Sequence, residues 1–165
     1  MVNEGKKFEQ DFIKSIEIDY ETWVYRLRDG TGNFAGTKNS NVRFQASNIC
    51  DFLVMKNDTL FLLELKSCKE SSIPLSMFRE NQIKELSKIN HKNIRTYFIL
   101  NYRKYEKTYA IEAEKIQFFE KYYNRKSIPI MFCEEQGILI QQEKKKVRYK
   151  YNLDNFFKKE GEENA

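Results

Sequence analysis

The chain has 165 residues, a length that supports one well-buried domain and excludes two ordinary ones. Its 41% hydrophobic and 15% aromatic content, against 32% charged residues, is enough to build a core and excludes a disordered polymer. A formal charge of +5 and a pI of about 9.0 favour an anionic partner, with lysine-rich solubility as the plain alternative.

Three cysteines, Cys50, Cys68 and Cys133, lack C-x-x-C spacing, which argues against a zinc ribbon or a disulfide framework. His91 is the one histidine and lies in a polar turn, so chemistries that need paired imidazoles are excluded. No run approaches the roughly 20 apolar residues of a membrane span, and the N-terminus has no signal-like apolar stretch. The expectation is a soluble, cytoplasmic protein.

Residues 5–18 place Phe8, Phe12, Ile13 and Ile16 at helical spacing, which predicts an amphipathic first helix with Glu9 beside the apolar stripe. Thr22 to Arg28 alternates as a strand. The stretch from Asp29 to Asn48, with Gly30, Gly32 and Gly36, predicts a projecting loop over 30–45 of the kind that often carries function. Ile49 to Met55 and Thr59 to Lys66 read as two strands joined at Lys56-Asn57-Asp58. Ser67 to Pro74 is a connector, Ser76 to Ile89 a second helix, and Ile94 to Leu100 a strand. A basic turn, Arg103 to Lys107, leads to a strand over Thr108 to Ala113 and a short helix over Glu114 to Tyr123. Ile128 to Phe132 and Ile138 to Gln141 read as short strands, and Asn152 to Lys159 as a last helix. Residues 1–159 form a single domain in this reading, and the acidic tail 160–165 is expected to be disordered.

Lys144 to Lys150 concentrates five cations in seven residues. A phosphate-contacting strand and a solvated edge that deters sheet-edge pairing fit this run equally well.

The two central strands carry the chemistry. Asp51 lies in the first, and Glu64-Leu65-Lys66 in the second, thirteen residues on. A hairpin brings Asp51 back beside Glu64, and burying two carboxylates with an ammonium is costly unless they pair or bind a cation. Two carboxylates, the backbone carbonyl of Leu65 and waters suit Mg²⁺, for which Mn²⁺ can substitute. Lys66 shares the face of Glu64, where it can orient or deprotonate an attacking water and offset phosphate charge. That is the chemistry of metal-assisted phosphodiester hydrolysis. A structural salt bridge between strands is the other reading.

The order helix with Glu9, strand, loop, Asp51 strand, turn, Glu64-x-Lys66 strand, helix, strand resembles the restriction-endonuclease-like PD-(D/E)XK core, an α/β fold with a central mixed sheet flanked by helices. Within it the chain resembles the RecU family of Holliday junction resolvases. The likeness rests on Gly5-x-x-Phe8-Glu9, Cys50-Asp51-Phe52, the spacing to Glu64-Leu65-Lys66, Ile73-Pro74-Leu75, Asn81-Gln82 and Arg125-Lys126-Ser127-Ile128-Pro129. Cys50 stands where the wider signature has Pro, and Asn81 where many members have His. The 30–45 loop differs in length and composition from the family's stalk.

The resemblance implies that Asp51 and Glu64 are metal ligands, Lys66 the catalytic lysine, Glu9 a supporting acid, and Gln82 a contact to the site or to DNA. It implies a Mg²⁺-dependent endonuclease that cuts four-way DNA junctions by paired nicks as a homodimer, in a phage or bacterial setting. Lys6, Lys7, Arg28, Lys38, Arg43, Arg79, Arg103 and Lys126 are the expected phosphate contacts. Two rival expectations stand beside it: another nuclease of the same core, of restriction or repair type, and a non-catalytic DNA-binding module.

Overall fold

The computed structural model describes residues 3–27 and 48–162. The 30–45 loop, with Arg28, Lys38 and Arg43, lies outside the described residues.

Helix α1 spans Glu4–Lys14, started by the Asn3 side chain, which accepts from the Lys6 N–H. It stops four residues earlier than its apolar period suggests, and Ile16 packs beyond its end. Strand β1 is Thr22–Arg26, β2 is Phe52–Lys56, and β3 is Thr59–Cys68. The hairpin between β2 and β3 turns on Asn57 and Asp58, with Lys56 paired to Thr59 and Asn57 at a positive φ of 51°.

After β3 come a three-residue strand β4 (Ser72–Pro74), a 3-10 turn (Leu75–Met77) and helix α2 (Glu80–Ser87). Strand β5 (Ile94–Tyr102), a second 3-10 turn (Arg103–Tyr105), strand β6 (Lys107–Glu112) and helix α3 (Ala113–Tyr122) follow. The rest is β7 (Ser127–Pro129), α4 (Ile130–Gln136), β8 (Ile138–Lys145), β9 (Arg148–Asn152) and α5 (Asp154–Glu162).

Two expectations change here. The run Ile128 to Phe132 is not one strand, because Pro129 ends β7 and caps α4, whose Phe132 and Cys133 then turn into the core. The run Lys144 to Lys150 spans the tip of a β8–β9 hairpin whose first strand reaches four residues further than the strand expected at Ile138 to Gln141. At the C-terminus, helix α5 extends to Glu162.

Seven strands form one mixed sheet in the order β1-β2-β3-β5-β6-β8-β9, parallel only between β3 and β5. A separate pair, β4 and β7, lies beyond it. One face packs Leu62, Phe98, Leu100 and Ile111 against Ile83, Leu86, Ile116 and Phe119 of α2 and α3. The other packs Phe61, Leu63, Tyr97 and Ile99 against Phe8 and Phe12 of α1 and Phe156 and Phe157 of α5. Each fully buried ring contributes about 2–3 kcal/mol, so both faces are well fastened. This is the mixed α/β architecture expected from the element order.

Candidate active site

The site begins with a fault in the sheet. The N–H of Asp51 donates to the carbonyl of Leu63 at 2.9 Å, yet Leu63 is already the register partner of Phe52. Two residues therefore oppose one, which makes a β-bulge and aims Asp51 out of the regular ladder. Asp51 stands just before β2, not inside the strand that the apolar run suggested. Its Oδ2 accepts from the Leu65 N–H at 2.7 Å, so the carboxylate caps the edge of β3 where β2 no longer covers it. In an extended strand the N–H and C=O of one residue face the same edge, so the Leu65 carbonyl opens towards Asp51.

Glu64 and Lys66 lie on the α2 face of β3. Lys66 Nζ donates to Glu64 Oε1 at 2.6 Å, and both side chains are largely buried. Glu64 Oε2 is buried without a hydrogen-bond partner among the described residues. The Glu64 carboxyl is held up at about 7, first by burial and then by the negative charge of Asp51, with Lys66 and Gln82 offsetting part of this. The neighbouring Cys50 thiol is pushed up to about 12 by burial and by the charges of Glu64 and Asp51. Burial is the first cause of both shifts, and the negative charge gathered at this corner adds to it.

Gln82, in the first turn of α2, is the third group drawn in. Its Oε1 lies 3.4 Å from the Arg79 N–H and 3.5 Å from Lys66 Nζ, so the amide closes the helix start and leans on the lysine. Arg79, Glu80, Asn81 and Gln82, with Asn48 and Ile49, line a cleft of about 220 Å³ beside the carboxylates.

A hard divalent cation fits this donor set. Two carboxylates, one with an orphaned buried oxygen, and an edge-facing carbonyl are the oxygen ligands such an ion takes, with water completing the shell. Among the described residues no third acid joins them, and no group of three or more His, Cys, Asp or Glu side chains assembles.

The remaining expected residues fall at different distances from this corner. Glu9 forms an ion pair with Arg26 of β1 at 2.5 Å, and the Arg26 guanidinium lies 5.9 Å from the ring centre of Phe52, the residue after Asp51. Lys6 is exposed, and Lys7 is 3.9 Å from Glu4. Lys126 is exposed, and its carbonyl accepts from Leu75 just ahead of α2. Arg103 sits in the turn after β5, where its Nε is buried without a hydrogen-bond partner among the described residues.

Sequence reasoning missed a second polar group on the opposite face of β3. Ser67 donates to Asn101 at 2.9 Å, Asn101 to Thr108 at 2.8 Å, and Thr108 to Gln142 at 2.6 Å, crossing four strands. Its only trace in the sequence is Asn101 near the end of an apolar strand.

The chain is similar to known proteins in three comparisons. Residues 5–155 match the RecU family, Recombination protein U. The chain is 34% identical over 170 residues to the SPbeta prophage-derived uncharacterized protein YotM of Bacillus subtilis (strain 168), covering 92% of this chain and 84% of that protein. In fold it is similar to Hjc of Archaeoglobus fulgidus, a Holliday junction resolvase, with a TM-score of 0.49 and 16% identity over 82% of this chain and 95% of the other. With nearly the whole chain matched, from α1 to the start of α5, it belongs to the RecU family.

Proposed function

We propose that this protein is a metal-dependent endodeoxyribonuclease that resolves four-way (Holliday) DNA junctions by paired, symmetric nicks. The observation that carries the reading is the buried Glu64 Oε2, without a hydrogen-bond partner among the described residues, beside Asp51 and Lys66 in a chain of the RecU family. Asp51, Glu64 and the Leu65 carbonyl would hold Mg²⁺, or Mn²⁺ in its place. When bound, the cation supplies Lewis acidity to the scissile phosphate.

The chain's own groups do the rest. With Glu64 shared with a cation, Lys66 would turn its ammonium to donate to a phosphate oxygen or to the oxygen of the attacking water. Gln82 fixes where that ammonium stands. Glu9 and Arg26 brace the strand that presents Asp51. Lys6, Lys7, Arg28, Arg79, Arg103 and Lys126 would supply phosphate contacts, and Lys38 and Arg43 belong to the 30–45 loop expected at the junction centre. Two symmetric cuts call for two matched sites, which a homodimer provides. No helix of the described residues is long and apolar enough to cross a membrane, and a DNA substrate suits a cytoplasmic enzyme, of a phage or its bacterial host.

The test compares an immobile four-way junction with linear duplex and flap DNA, each with Mg²⁺ and with Asp51→Asn as control. Cleavage confined to the junction supports the proposal. Equal cleavage of linear or flap DNA assigns the chain to another nuclease of the same core, and binding without cleavage of any substrate makes it a non-catalytic DNA-binding module.

A further inference from the structure

The five-cation run at Lys144 to Lys150 has no part in the site just described, and its placement gives it one. Strand β8 runs parallel to β3, because β5 parallels β3 and two antiparallel steps follow. The tip of the β8–β9 hairpin therefore lies at the same end of the sheet as Lys66. It also projects beyond that end. Ile140 is level with Thr108, which is level with Asn101 and so with Ser67, so Gln141 is level with Cys68, the last residue of β3, and Gln142 to Lys145 lie past it.

The ribbon is held in a fixed pose on both sides. Glu106, in the turn between β5 and β6, accepts from Lys144 at 2.7 Å and from the Tyr149 hydroxyl at 2.6 Å. On the other side Asp11 of α1 accepts from Arg148 at 2.5 Å and from the Tyr149 N–H at 3.1 Å. The cations left over point outward. Lys146, at the tip with a φ of 54°, is exposed and has no ion pair among the described residues, and neither has exposed Lys104 in the adjoining turn. Lys145 is exposed and paired only with its strand neighbour Glu143. With Arg103 between them and β3, these residues form a row of positive charge from the active corner to the ribbon tip.

We propose that the β8–β9 ribbon is an arm clamp that grips the phosphate backbone of a duplex DNA arm away from the cut. The proposal rests on the nuclease reading above. Lys66 is level with Leu139, so three strand spacings across the sheet and the six residues from there to Lys145 put the tip roughly 25 Å from Lys66. At 3.4 Å per base step, that is about seven base pairs from the scissile phosphate. A ribbon pinned by Glu106 and Asp11 presents its remaining cations with little further loss of loop freedom, which favours a positioning contact over a diffuse attraction.

The experiment measures binding of an intact four-way junction in Ca²⁺ as salt is raised, for wild type, Lys145→Gln/Lys146→Gln and Lys104→Glu. Both variants are expected to bind about tenfold more weakly at moderate salt and to lower the salt slope by about one unit per lost contact. A junction with neutral methylphosphonate linkages about six to eight nucleotides from the cut should weaken wild type by a similar factor. The Lys145→Gln/Lys146→Gln variant should show no further loss on that substrate. With Mg²⁺ and saturating junction, the variants should cut within about twofold of wild type. Unchanged affinity and slope, or self-association of the lysine variants without loss of DNA binding, would overturn the clamp and make the run an edge guard. Absence of any cleavage by wild type in the same assay would instead defeat the nuclease reading.

Discussion

The two faces of β3 carry polar groups one residue apart, and they are finished in opposite ways. On the α1 face, Ser67, Asn101, Thr108 and Gln142 are neutral and pass hydrogen bonds from strand to strand. On the α2 face, Glu64 shares one oxygen with Lys66 and leaves the other buried and without a partner among the described residues, near a second carboxylate. Neutral groups that satisfy one another add to stability, whereas a buried charge without enough counter-charge subtracts from it. The first arrangement is complete as folded. In the function proposed here a cation would complete the second, and that difference would separate a structural polar cluster from a site.

The widest break between the two faces should come from Asp51→Asn. Removing one ligand charge is expected to lower junction cleavage about a thousandfold or more, near 4 kcal/mol in barrier, while binding in Ca²⁺ or EDTA persists. Gel assays of nicking and of complex formation check the two halves separately, and wild-type rates in the variant would remove Asp51 from the site.

Glu64→Gln should be as inactive but should change stability the other way. The substitution removes the surplus charge, so the metal-free protein is expected to unfold at a higher temperature than wild type at pH 8. A lower midpoint would mean that Glu64 is an ordinary structural partner of Lys66.

For Lys66→Ala a loss of about a hundredfold in rate is expected, near 2.7 kcal/mol, with metal affinity little changed because the lysine is not a ligand. Collapse of the thermal transition in this variant would favour the structural salt bridge.

Proton linkage gives a smaller effect with a definite sign. The Glu64 carboxyl titrates near 7 in the folded protein, against an ordinary value of 4.5, so between these values the folded form holds a proton that the unfolded chain has released. Metal-free stability should therefore fall as pH rises from about 4.5 through 7, by on the order of 2 kcal/mol. Denaturant titrations across that range in EDTA measure it, and a flat or rising profile would contradict the charge imbalance.

On the finished face, Thr108→Val should cost about 1–2 kcal/mol by leaving Asn101 and Gln142 short of a partner, with no change in cleavage. A large loss of activity there would blur the contrast between the faces.

The hairpin of β2 and β3 was legible because Asp51 and Glu64-x-Lys66 interrupt apolar runs, and a charge in such a run stands out. The bulge that aims Asp51 was not, since one unpaired residue leaves no compositional mark. Gln82 could be named from the family likeness, but its lean on Lys66 depends on where α2 starts, and the helix begins four residues later than its apolar period implied. The run from Ile128 was read as a strand because five residues cannot distinguish a period of two from 3.6, and Pro129 decided the matter by capping a helix. The Ser67 to Gln142 ladder joins residues far apart in the chain, so only the strand order brings it together.

The claim at the centre of this account is that the α2 face is incomplete without a divalent cation. Its most direct test is the unfolding midpoint at pH 8 of wild type and Asp51→Asn as Ca²⁺ is added, since Ca²⁺ can fill an oxygen site without supporting turnover. The account predicts a saturable rise of about 5 °C or more in wild type and almost none in Asp51→Asn. Midpoints that stay flat in both proteins, or that rise equally in both, would contradict it.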